Sequence, residues 1–183
     1  ALVTQAAGAK PGGTLKVGML ADHFGFDPPL TVGMPDLVTA MHTYDVLVFR
    51  NPDLSLQPAL ATSWEPNDDA TQWTFNLRKG VKFRHGKEFK AEDVIFSINR
   101  LFEMESPLAS VMVKPAAMVA VDDHTVRLEF ESPNAVLLEA LVKYHMLIMP
   151  SDIDPARFID EEFGTGPFSI TEHVIGERTV FTK

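Results

Sequence analysis

The chain contains no cysteine. Disulfides, thiolate metal centres and cysteine nucleophiles are therefore excluded, and the redox compartment is left open. Positive charge is also scarce: Lys+Arg 16 against Asp+Glu 25 gives a formal net charge of -9. A nucleic-acid partner needs a basic face, so the balance argues against that class, although net charge does not select the sign of a small ligand. No apolar run approaches the roughly 20 residues that a membrane-spanning helix requires. No charged-then-apolar leader opens the chain. Ala1–Ala9 is instead a stretch of mostly small residues, and it reads as the disordered start of a mature exported protein.

The usual catalytic signatures are missing too. His23, His42, His85, His124, His145 and His173 include no pair at the i, i+4 spacing of a helical metal site, so surface or turn positions, no metal and no cofactor are expected. There is no Gly-x-Ser-x-Gly elbow, no phosphate loop and no calcium loop. Asp68-Asp69, Asp122-Asp123 and Glu161-Glu162 are acid pairs in loops, and nothing in their spacing sets the separation that acid-assisted hydrolysis needs.

At 183 residues and 45% hydrophobic, the chain suits one domain or two small ones and can bury a core. Thr71–Phe102 is the segment around which the remainder is organised. Trp73, Phe75 and Leu77 alternate with Thr74, Asn76 and Arg78, the pattern of a half-buried strand. Gly80 supplies a turn, Val81 and Phe83 resume the alternation, and His85-Gly86-Lys87 turns again. From Ala91 the period becomes helical, with Val94, Ile95, Ile98, Leu101 and Phe102 on one face and Glu92 and Asp93 in the first turn, where the helix dipole favours negative charge.

Before that segment, Leu15, Val17 and Met19 share one side of a strand predicted over Thr14–Leu20, and Asp27-Pro28 initiates a turn. Leu37, Met41, Tyr44 and Val48 form an apolar stripe that predicts a helix over Pro35–Phe49. Leu60 and Trp64, four apart, would share a face if their stretch were helical, and Trp64 is expected in the core. After the segment, Val119–Phe130 reads as a hairpin turning at Asp122-Asp123-His124. Ser132-Pro133-Asn134 is expected to cap a helix from Ala135 to about Tyr144, and Ser169–Thr182 reads as a second hairpin.

Several stretches closely resemble the bacterial extracellular solute-binding proteins of family 5, the peptide and nickel class. Gly12-Gly13-Thr14-Leu15-Lys16-Val17-Gly18 is similar to the family's first strand, and Phe26-Asp27-Pro28 to its "LDP" turn. Pro58-Ala59-Leu60-Ala61-Thr62-Ser63-Trp64-Glu65 resembles "PxLAxSWE". Thr74–Phe83 resembles "YTFHLRKGVKF", and Ala91-Glu92-Asp93-Val94-Ile95-Phe96-Ser97 resembles "TAEDVVFS" without its leading Thr. Ala120–Val126 resembles "AVDDxTV", and Gly164-Thr165-Gly166-Pro167-Phe168 is the family's "GTGPF". Lys90 stands where the family carries a Thr cap, and Lys cannot accept a bond from free helix N–H groups.

The resemblance implies an α/β (α+β) chain, periplasmic-binding-protein type II-like, holding part of a first lobe with its small β-rich subdomain. It implies a flexible terminus over residues 1–13, a first-lobe segment over 14–44, the subdomain over 45–163 and a return hairpin over 164–183. The second lobe of such proteins would follow that hairpin, so a truncated fragment is expected, and it would dimerise or swap through exposed sheet edges. The implied function is peptide capture, without catalysis, for an ABC permease, in a periplasmic or extracytoplasmic location. Nickel complexes, opines and oligosaccharides remain open as ligands. So do, from other classes, a hydrolase using the loop acids and a module that binds unfolded segments at a strand edge. By matching position, the ligand-binding residues implied are Val32, Gly33, Met34, Leu108, Ala109, Lys143 and His145.

Overall fold

The computed structural model describes residues 12–23, 25–31 and 33–183. Its centre is an antiparallel sheet of four strands: β3 (Ala61–Pro66), β4 (Gln72–Leu77), β5 (Ala117–Asp122) and β6 (Thr125–Glu129), in the spatial order β3-β4-β6-β5. The alternation in β4 does what its period dictates. Trp73, Phe75 and Leu77 are buried, and Trp73 and Phe75 stand opposite Leu128 and Val126 of β6. A helix, α2 (Ala91–Glu103), packs against β5 and β6 with Ala91, Val94, Ile98 and Leu101 buried. Complete burial of a side chain such as Phe75 or Ile98 contributes about 1.5–3 kcal/mol.

The same helix buries a second, polar stripe: Asp93, Ser97 and Arg100. Asp93 Oδ2 accepts from the N–H of Lys90 at 2.8 Å, the reverse half of a capping box. In the absence of a Thr cap, the free N–H groups of Ala91 and Asp93 donate to Asp123 O at 2.9 Å and Lys90 O at 3.1 Å, respectively. Asp93 Oδ1 accepts from Ser151 N–H at 2.8 Å and from the Lys87 ammonium. Ser97 Oγ accepts from Met149 N–H at 2.8 Å. Arg100 forms a buried ion pair with Asp27; its Nε donates to Oδ1 at 3.2 Å, and its guanidinium also lies over Phe158. The stripe thus holds Met149–Ser151 and the Asp27 turn against α2.

A second, smaller core forms around Ala40, Tyr44, Leu147, Met149, Phe158 and Phe163. Ala40 lies on α1 (Met34–Thr43). Gly164 and Gly166 run hard against the end of this helix. A Cβ at Gly164 would sit 1.9 Å from the Thr43 carbonyl oxygen, and one at Gly166 would sit 2.6 Å from the Thr43 carbonyl carbon. The close approach lets Gly166 N–H donate to that oxygen at 2.9 Å and Phe168 N–H to His42 O at 3.2 Å. The chain then enters the hairpin of β7 (Ser169–Val174) and β8 (Arg178–Thr182), a separate two-stranded sheet. The remaining elements are the short pair β1 (Val48–Arg50) and β2 (Leu56–Pro58), the one-turn helix α3 (Leu137–Leu141), and 3-10 turns at Pro28–Leu30, Pro107–Ser110, Tyr144–Met146 and Pro155–Ile159.

Five expectations are corrected. Thr14–Leu20 is not a strand: no described segment pairs with it, and Leu15, Val17 and Leu20 are exposed. Without a neighbouring ladder, alternation alone does not make a strand. The helix predicted to Phe49 ends at Thr43, and Val48 lies in β1, because Val46–Leu60 turns back on itself as a small hairpin. Leu60 lies at a bend and Trp64 in β3, neither in a helix; Trp64, at the sheet edge, is only partly buried. Val81–Phe83 contributes one bridge, Lys82 to Glu88, instead of a strand. The helix predicted over Ala135–Tyr144 shrinks to α3, with no side-chain cap, because the chain must leave it at Val142 to bury Met146–Met149.

Candidate functional site

The Asp27–Arg100 pair anchors a turn from which the chain enters α1. Leu30 N–H donates to Asp27 O at 3.0 Å and Thr31 N–H to Pro28 O at 3.2 Å. Gly33 is the N-cap of α1, its N–H donating to Asp36 Oδ2 at 3.2 Å, and Met34 follows with 64% of its surface exposed. The 3-10 turn Tyr144–Met146 packs against the turn Pro28–Leu30 and against α1. His145 sits half-buried at this junction, beside the ring of Tyr144 at 4.2 Å between centroids. Its Nε2 has no hydrogen-bond partner. Burial holds the His145 imidazole below its ordinary pKa, opposed by a hydrogen bond with the Thr31 backbone and reinforced by the charge of Lys143.

Lys143 is exposed and makes no ion pair among the described residues. It lines a groove of about 170 Å³ together with Leu108, Met112, Val136 and Leu137. The implied ligand residues therefore fall in two adjoining places. Gly33, Met34 and His145 lie around the junction of two 3-10 turns; Leu108 and Lys143 line the groove, and Lys143 joins the two places. Leu108 is only 4% exposed, and Ala109 is half-buried against the main core, so packing takes up most of both side chains. Val32 lies outside the described residues.

The acids of the hydrolase alternative are dispersed and mostly bound into local structure. Asp69 accepts from the N–H and hydroxyl of Thr71, and these bonds hold its carboxyl below the usual range. Asp122 closes its own hairpin by accepting from His124 N–H at 2.7 Å, and Asp123 pairs with Lys90. Glu161 pairs with Arg157. Burial pushes the neighbouring Glu162 carboxyl up, offset in part by Ile170 N–H and Arg84.

Two polar groupings escape a reading built on apolar periodicity. One is the Asp93, Ser97 and Arg100 stripe, for which the only signal was polar residues recurring at four and three along a strongly apolar helix. The other joins His23, which is buried rather than exposed, to His173 on β7; their ring centroids are 4.1 Å apart. No local pattern could have paired residues 150 positions apart (173 less 23).

Comparison with known proteins places these features. The model of the bacterial extracellular solute-binding proteins, family 5 Middle, matches residues 55–183. Heme-binding protein A of Haemophilus influenzae is 31% identical over 81% of this chain and 32% of its own length. A dipeptide-binding protein of Escherichia coli is 30% identical over 81% of this chain and 33% of its own. Among solved structures, the ABC transporter-associated periplasmic binding protein DppA from Helicobacter pylori, in complex with the peptide STSA, superposes with a TM-score of 0.77 at 28% identity. The overlap covers 89% of this chain and 37% of that one. The expected mixed α/β, type II periplasmic-binding-protein-like fold is borne out. The chain spans about a third of the length of the curated relatives it matches.

Proposed function

Because this chain belongs to the bacterial extracellular solute-binding proteins of family 5, we propose that it is part of the solute-capturing component of an ABC importer and that peptides are its ligand class. It acts outside the cytoplasmic membrane, binds without making or breaking bonds, and hands its ligand to a membrane permease. The single observation that carries this reading is the packing of the Tyr144–Met146 turn against α1 and the Pro28–Leu30 turn, directly after Lys143, which lines an open groove. The exposed Lys143 ammonium at the rim of a mostly apolar groove is the kind of placed polar group that a small-ligand site needs. The peptide class is supported by the relatives named for dipeptides and for the peptide STSA.

The segment assignment follows the same line. Residues 14–44 and 164–183 act as one body, supported by the glycine contacts on Thr43 and by the rings of Phe168 and Phe181 against His42. Residues 45–163 act as the subdomain, supported by the four-stranded sheet and α2. Of the implied contacts, Met34, Lys143 and His145 face a ligand by side chain and Gly33 by backbone. Leu108 and Ala109 shape the wall.

A second reading, a non-peptide solute, is favoured by the haem-binding name of one relative at 31% identity. Isothermal titration against a dipeptide and tripeptide library, with haem as a separate arm, decides between them. Saturable binding of at least one peptide, weakened severalfold by Lys143→Ala, is expected. Heat from haem with silence across every peptide would overturn the peptide assignment.

A further inference from the structure

Asp22, His23 and His173 converge where the segment before the Asp27 turn meets the tip of the β7–β8 hairpin. Asp22 is held by backbone: its Oδ1 accepts from His23 N–H at 2.9 Å and its Oδ2 from Gly176 N–H, at the hairpin turn, at 2.7 Å. His173 Nδ1 lies 2.9 Å from Thr179 Oγ1 across the hairpin. That contact occupies Nδ1 and turns Nε2 toward Asp22, whose Oδ2 is 4.0 Å away. His23 is only 9% exposed, and although the Gly25 backbone lies near its ring, neither ring nitrogen makes a hydrogen bond of ordinary geometry. Buried polar atoms are ordinarily paired, and an unpaired nitrogen on a buried ring is open to a ligand. One donor atom from each of the three side chains lies within 4.8 Å of the others, a grouping found nowhere else among the described residues.

We propose that Asp22, His23 and His173 form a binding site for a divalent first-row transition ion of the zinc type. Two imidazole nitrogens and one carboxylate oxygen suit such an ion, whereas calcium and magnesium take oxygen ligands. Tetrahedral bonds of about 2.1 Å put ligand atoms about 3.4 Å apart, so the observed spacing closes with small side-chain rotations. Thr179 holds the His173 ring by its second nitrogen, as groups behind metal-bound histidines do. Because the ligands come from both sides of a junction, the ion fastens the Ala21–His23 segment to the hairpin turn. The site is separate from the groove at Lys143, so the outcome of the peptide titration does not bear on it.

The test is calorimetric titration of tag-free, chelator-stripped protein with Zn²⁺, together with Co²⁺ absorption. The expected result is one ion per chain, intense d–d bands of a four-coordinate site, and a thermal midpoint that rises with Zn²⁺. His173→Ala and Asp22→Asn each weaken binding at least tenfold, while His124→Ala leaves it unchanged. His23→Ala removes a buried ring and need not fold, so the two milder variants and the Co²⁺ spectrum carry the test. Absence of saturable binding up to millimolar Zn²⁺ would mean that the two rings simply stack, and it would overturn the proposal. Unchanged affinity in both His173→Ala and Asp22→Asn would do the same.

Discussion

Asp27 and Arg100 are both nearly buried, and they are 73 residues apart in sequence. Neither charge can return to water while the fold persists, so each depends on the other. Truncating one partner of such a pair leaves an uncompensated charge, at a cost of roughly 3–5 kcal/mol. Asp27→Ala is therefore expected to lower the urea midpoint by that amount of stability. Asp27→Leu combined with Arg100→Met should recover much of the loss, since well-packed apolar groups substitute for buried ion pairs. A midpoint for Asp27→Ala within error of the parent would show that water reaches Arg100. In the sequence, Asp27-Pro28 was readable as a turn because that role is local. Its ionic role was hidden because the partner is defined only by how α2 is rotated. The candidate site divides in the same way. Lys143 and His145 came from resemblance, but the meeting of His145 with the Thr31 backbone is visible only once the chain is folded.

At the scale of elements, the strands and helices that are legible share a cause. β4, α2 and the hairpins at Asp123 and Gly176 carry both a clear period and, within a few residues, their own partner or cap. Those that misled lack the second ingredient. Thr14–Leu20 alternates but has nothing described beside it, and α3 is cut short by a neighbour that needs the chain elsewhere. The Gly164–Phe168 turn is the opposite case, a short motif whose reason is wholly steric. Gly164→Ala would drive a methyl into the Thr43 backbone, which cannot swing aside as a flexible side chain would. Overpacking of this kind costs about 1–3 kcal/mol or more. The expected outcome is a clear drop in thermal midpoint, with loss of near-ultraviolet ellipticity from the core around Tyr44. A variant as stable as the parent would mean that the strand entering β7 can shift sideways.

Taken as a whole, the molecule presents unsatisfied surface in two forms. Among the described residues, β3 and β5 are the outer strands of the four-stranded sheet, and Leu15, Val17 and Leu20 are exposed. We propose that copies of this chain associate through these edges, by added strands or by exchange of the β7–β8 hairpin. Light scattering should show mass rising with concentration, whereas a constant monomer mass at millimolar concentration would refute it. The seam along α2 has a different consequence. Turning that helix by a single residue, roughly 100°, would strip Asp93, Ser97 and Arg100 of their partners together. The helix therefore behaves like a keyed shaft. A twist applied at the Asp27 turn is resisted by three partnered side chains at once.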